Sequence, residues 1–250
     1  MSQSTESTTE ANPFTKPGFI IAAALVVALT AAAVVIFLLP KGQGNAQPAP
    51  ADTSSAASAT PSASAAASKS VCGLPGSTDT ALGKAPATKW ELVGKMATPT
   101  DPKTFGPGST DQDGFRSCFS QSPTGALYAA ANLLSMGSSG VRAINQKLTD
   151  RLLLPGPGRD IAKADSQAMP ATTAPSSTVQ FRGFVIKSYT PSAANVDIAF
   201  QSETGVLGHT VLPLEWTDGD WKLAIGDNGR LVNDIAQIRD LSGFIPWAGA

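Results

Sequence analysis

The chain has 250 residues and a formal net charge of -1, so no basic excess marks a nucleic-acid surface and none is expected to be bound directly. Charged residues make up only 15% of the chain, while Ala, Ser, Gly and Pro are abundant, which leaves part of the length outside any packed core. With 2 cysteines and 1 histidine, the four soft ligands of a structural zinc site are missing, and so is a Cys-x-x-Cys redox pair.

Residues 1–18 are Ser/Thr-rich and unpatterned, and read as a disordered cytoplasmic tail. Residues 19–39, FIIAAALVVALTAAAVVIFLL, carry no charge and only Thr30 as a polar interruption. A helix of that length rises roughly 30 Å, the thickness of the hydrocarbon layer, so a single transmembrane span in a lipid bilayer is expected. A cleaved signal peptide is the rival, although its apolar region runs only ~7–15 residues. Lys16 and Lys41 flank the segment one on each side and do not orient it. Residues 40–70 form an Ala/Ser/Pro tract, a stalk that cannot bury enough apolar surface to offset its chain entropy.

Cys72 ends the stalk and Cys118 precedes the first helical pattern; each is the other's sole possible partner within the chain. A disulfide between them is expected, with two unrelated buried thiols as the alternative. Such a bond persists in oxidising compartments and orients the protein: N-terminus cytoplasmic, residues 71–250 extracytoplasmic, the whole held at the cell membrane.

Residues 71–250 are long enough for one domain with a substantial core. Gly73 to Ser117 is rich in Gly and Pro with a short strand at 89–93, an extended arm pinned by the disulfide. Ser122-Pro123 supplies a helix start, and Leu127, Ala130, Ala131 and Leu134 form one stripe of a helix to about Met136. Ser139 is placed to cap a second helix with Val141, Ile144, Leu148 and Leu152 on one face, stopped by Pro155-Gly156-Pro157-Gly158. From 178 the period becomes two. Val179 to Tyr189 is a strand of irregular alternation, and Val196, Ile198 and Phe200 alternate with a wet Asn195, Asp197 and Gln201.

Asp218-Gly219 is the signal of a two-residue hairpin. It sets Trp216 opposite Trp221, Glu215 opposite Lys222 in an exposed ion pair, Leu214 opposite Leu223 and Leu212 opposite Ile225. Trp216, Asp218, Gly219 and Trp221 are thus assigned a structural role. Helices followed by long antiparallel strands imply an α+β fold, a cone-shaped roll of helices against a curved sheet, with a decorated sandwich or barrel as the alternative.

No residue is assigned to catalysis, a metal or a cofactor. His209 lies on the phase opposite the core and faces solvent, without a paired nucleophile. The Gly-Pro-Gly runs at 106–108 and 156–158 are turns, and Asp218, Asp220 and Asp227 lack the ligand spacing of a calcium loop. Tyr128 and Tyr189 are the tyrosines a ketosteroid-isomerase-like cone would need, but no inward acid pairs with either.

Tail, anchor, stalk and roll together resemble the bitopic scaffold subunits of type IV secretion and conjugation machines, including the TcpC-like proteins. Cys72-Gly73-Leu74-Pro75-Gly76, Cys118-Phe119, Ser122-Pro123, Gly125-Ala126-Leu127, Pro213-Leu214-Glu215-Trp216, Gly219-Asp220-Trp221-Lys222 and Gly243-Phe244-Ile245-Pro246-Trp247 are similar to an actinobacterial family associated with conjugative elements. That resemblance implies a cystatin-like roll and a non-enzymatic scaffold that packs as a homo-oligomer or against other transfer-channel subunits. TcpC-like proteins can carry two rolls, whereas the length here holds one. Two other functions belong to folds of this kind: an accessory with a lipid- or peptide-binding pocket, and an isomerase-like enzyme.

Overall fold

The computed structural model describes residues 68–172 and 179–249, which form an α+β domain with antiparallel sheets. The anchor expected at 19–39, the tail before it and all but the end of the stalk lie outside those residues. Among the described residues no helix is long and apolar enough to cross a membrane.

The arm is built from two short hairpins. β1 (Lys89–Val93), the strand expected there, pairs with β2 (Met96–Thr100), and β3 (Ser109–Thr110) pairs with β4 (Arg116–Ser117). Helix α1 (Pro123–Gly137) starts as its sequence dictates: Ser122 Oγ accepts the Gly125 amide at 2.9 Å and Pro123 opens the first turn. It shows more than the expected stripe, since residues on nearly every side are buried. The arm covers what the main sheet does not: Thr98 donates to Ser135 at 2.7 Å, and Asn132 Nδ2 donates to the Pro99 carbonyl at 3.1 Å.

Two helix expectations are corrected. Ser139 does not cap α2 (Arg142–Arg151); its hydroxyl donates to the Met136 carbonyl at 2.7 Å and closes α1, while Val141 at the cap position makes no side-chain bond. Ile144, Leu148 and Leu152 are buried as expected. The run 155–158 stops α2, but 156–158 is more than a turn, because Pro157 opens a third helix, α3 (Pro157–Ala168). Gly158 is required there: a Cβ would fall 2.0 Å from the Gly226 carbonyl oxygen.

The main sheet is a meander of β5 (Val179–Thr190), β6 (Ala193–Ser202) and β7 (Leu207–Thr217). β8 (Asp220–Leu223) and β9 (Ala236–Ile238) share the outer edge of β7, and β10 (Ile245–Pro246) adds to β5. The irregular alternation of β5 has a cause. Register shifts leave Arg182 and Lys187 unpaired, so Phe181, Phe184 and Ile186 fall opposite Phe200, Ile198 and Val196 on the core side.

The hairpin keeps the expected register from Thr217↔Asp220 to Leu214↔Leu223, with Asp218 at φ 56° and Gly219 at φ 77° in the turn. The Trp216 and Trp221 rings meet edge to face, centroids 5.2 Å apart. Two details differ. Lys222 pairs with Asp218 instead of Glu215, since the turn brings that carboxylate round to it. Ile225 bridges Leu231 instead of pairing with Leu212, because the ladder ends with the Ala224 amide on the Pro213 carbonyl at 2.9 Å.

The wet face expected of β6 is covered at its centre, where Asp197 and Ala199 are 0% exposed. The chain leaves the β7 edge after β9 and reaches the β5 edge at β10. On the way it lays Phe244 over the row Gly183, Ala199 and His209: the Phe244 ring is 5.9 Å from His209, and its Cβ is 3.1 Å from where a Gly183 Cβ would stand. On the opposite side of the sheet Trp247 is 5% exposed, with its centroid 4.7 Å from Trp90, 6.0 Å from Tyr128 and 6.2 Å from Phe181.

Candidate functional site

Small residues on α3 and short side chains at the end of α1 leave the helices short of closing on the sheet. The result is a groove of about 460 Å³ between α1, α2, α3, β7, β8 and the loop after β8, a volume within the usual range for ligand sites. Leu133, Leu148, Leu153, Leu212, Leu223 and Ile225 supply most of its wall. Its polar atoms come from α2 and α3: Asn145, Thr149, Asp165 and Ser166. Thr149 Oγ1 donates to the Gln146 carbonyl at 2.9 Å and Ser166 Oγ to the Lys163 carbonyl at 2.8 Å, so both hydroxyl protons are used within the helices. The two oxygens stand 3.4 Å apart.

The expected disulfide, Cys72 to Cys118, is present and closes a sequence separation of 46. It is one strand of a larger knot. Cys118 takes a left-handed backbone conformation, φ 68°, which turns its amide and the next toward the β7–β8 hairpin. Asp220 accepts the amides of Cys118 at 2.6 Å, Phe119 at 2.9 Å and Trp221 at 2.9 Å. Burial pushes the Asp220 carboxyl up to about 6, against those three donors, which pull it down. Trp221 Nε1 donates to the Ser120 carbonyl at 2.9 Å, and the Val71 amide donates to the Gly219 carbonyl at 2.8 Å. Gly219 is suited to this contact, because a Cβ there would lie 2.9 Å from the Val71 nitrogen.

The outer face of the sheet holds a second polar cluster. His209 Nδ1 bonds Asp197 Oδ1 at 2.8 Å across the β6–β7 ladder, and the bulged Lys187 places Nζ 3.2 Å from Asp197 Oδ2. That lysine is near enough to pair charge but is not aligned as a donor, so Oδ2 is buried without a hydrogen bond. His209 therefore sits on the predicted phase but is not a free solvent-facing residue: its side chain is 27% exposed, pinned by a carboxylate and covered by Phe244. Its described contacts include no hydroxyl or thiol, so the pair has an orienting acid and no nucleophile.

The other sequence candidates separate. Trp216, Asp218, Gly219 and Trp221 do form the hairpin and the knot. Asp218 pairs with Lys222, Asp220 is enclosed by amides and Asp227 is exposed, so the three do not converge. Tyr128 donates to Thr88 Oγ1 at 3.0 Å, away from the groove, and burial raises its hydroxyl. Tyr189 packs on Trp221 with its hydroxyl buried and unbonded, and burial pushes it up to about 12. Sequence reasoning missed the groove because α3 is buried through Gly158 and Ser166, eight residues apart and neither of them a large apolar residue. It missed the Asp197 cluster because the covering Phe244 lies 47 residues further on, a separation about which local alternation is silent.

No curated protein and no solved structure matches the chain. A family model described as a domain of unknown function, DUF8175, matches residues 51–246, and the chain belongs to that family.

Proposed function

We propose that this protein is a non-enzymatic, membrane-anchored accessory whose extracytoplasmic domain binds a hydrocarbon chain in the groove between its helices and its sheet, read as the inside of a cone-shaped roll. The observation that carries this reading is the apolar groove of about 460 Å³, walled by leucines and isoleucine and left unfilled by the fold's own side chains. Burial of a methylene there contributes about 0.8 kcal/mol, so a chain of moderate length supplies useful affinity. The disulfide supports the extracytoplasmic placement, since such bonds persist in oxidising compartments. An anchor at 19–39 would keep the groove within reach of lipid.

The test is photolabelling of the full chain in membrane vesicles with a dodecyl diazirine, followed by peptide mapping. Label on residues 133–153 is expected, and its loss in Ala162→Phe, which fills the groove from α3. Label confined to residues that do not line the groove would remove the reading.

The scaffold role implied by the conjugation-machine resemblance is a second reading. Val71, 71% exposed, and Leu92, 73% exposed, favour it, because large apolar side chains at the surface suit subunit contacts. Crosslinking in cells that recovers only monomer, with lipid co-purifying, would rule it out.

A further inference from the structure

From the polar atoms of the groove we infer that its occupant is an alkyl chain bearing an ammonium headgroup, an inference that rests on the hydrocarbon-binding reading above. The polar side chains on α2 and α3 that line the groove present acceptors to it. Thr149 and Ser166, 5% and 3% exposed, have given their hydroxyl protons to the Gln146 and Lys163 carbonyls. Asn145 is oriented by its Nδ2, which gives one proton to the Val141 carbonyl at 3.1 Å and leaves the amide oxygen and one N–H for a ligand. Asp165 is the charged side chain among the lining residues.

Two nearby cations are held by other groups. Lys163 Nζ pairs with Asp150 at 2.6 Å, and Arg142 donates to the Met169 carbonyl at 3.1 Å; neither side chain lines the groove. A carboxylate or phosphate head would meet four acceptors, one of them the negatively charged Asp165, against a single amide N–H of Asn145. An ammonium, with three donors and no acceptor, complements the four acceptors, and its positive charge is favoured by Asp165.

The experiment is displacement of the dodecyl diazirine label from full-length protein in vesicles by dodecylamine, dodecanol or dodecanoate, each scaled to its measured membrane concentration. Dodecylamine should displace at about tenfold lower concentration than dodecanoate, the difference expected when a rim carboxylate attracts one head and repels the other. In Asp165→Asn that ratio should shrink toward one, while the dodecanol value stays unchanged; differing partition cancels because wild type and variant share the same vesicles. Asp165 is exposed, and an unaltered thermal midpoint for the variant will establish that it folds. Equal displacement by all three, or preference for dodecanoate, overturns the ammonium inference and leaves hydrocarbon binding standing. Failure of every competitor to displace the groove label sinks both.

Discussion

Asp220 and Asp197 are both buried carboxylates of the main sheet, and the fold compensates them by opposite means. Asp220 sits in the knot beside the disulfide and accepts three backbone amides, none of them charged. Asp197 lies on the outer face and is held by His209 and Lys187, side chains that reach water at 27% and 52% exposure. Fixed neutral donors leave burial the larger influence on Asp220 and raise its carboxyl. Partners that are half in solvent can follow Asp197 or abandon it. The knot should therefore be rigid and costly to damage, the outer cluster forgiving.

The hardest blow to that contrast is Asp220→Ala, which strands the amides of Cys118, Phe119 and Trp221. At ~1–3 kcal/mol for each buried unsatisfied donor, a loss of about 5 kcal/mol is expected in denaturant unfolding. A loss below about 1 kcal/mol would mean that the knot is not the rigid part. Next comes the Cys72→Ser, Cys118→Ser double variant, which frees a loop closed over 46 residues and should cost about 4 kcal/mol in the chain-entropy account. An unchanged unfolding midpoint would separate the disulfide from the stability of the knot.

The titration of Asp220 supplies a smaller, signed effect. Its folded value of about 6 lies above the ordinary 3.8, so between those limits the native state holds a proton that the unfolded chain has released. Stability then falls as pH rises from about 4 to about 6 and levels off above, by at most about 3 kcal/mol. Calorimetry across that window should show the slope in the wild type and lose it in Asp220→Asn; a wild type that gains stability over the same window would reverse the assignment. Smallest is Asp197→Ala, which releases His209 and Lys187 to water and should cost about 2 kcal/mol. If it costs as much as Asp220→Ala, the two carboxylates are not held differently after all.

Much of the fold was legible where the signal was local. Ser122-Pro123 and Asp218-Gly219 specify a helix start and a turn through their own backbone preferences, and both occur with the expected register. The cysteine pairing followed from the absence of other partners. What escaped was set by distant chain. The phase of β5 looked broken until two bulges restored it, and a bulge is decided by the partner strand. Helix α3 escaped because its buried positions, Gly158 and Ser166, carry no large apolar side chain, while its isoleucine, Ile161, is exposed. Asp220 reads as an ordinary turn-flanking residue, and nothing within a few positions reveals that it will receive the amides at 118 and 119.

Trp247 has one more consequence, for the order of assembly. Its ring joins the layer formed by Trp90, Tyr128 and Phe181, and its indole nitrogen donates to Thr88 Oγ1 at 2.9 Å, a hydroxyl that Tyr128 also uses. A chain delivered from its amino end first cannot complete that layer until residue 247 has emerged, whereas both cysteines are available well over a hundred residues earlier. Oxidation can thus precede packing, and a nascent chain stalled before its final strand would be covalently closed yet still lack its last aromatic plug.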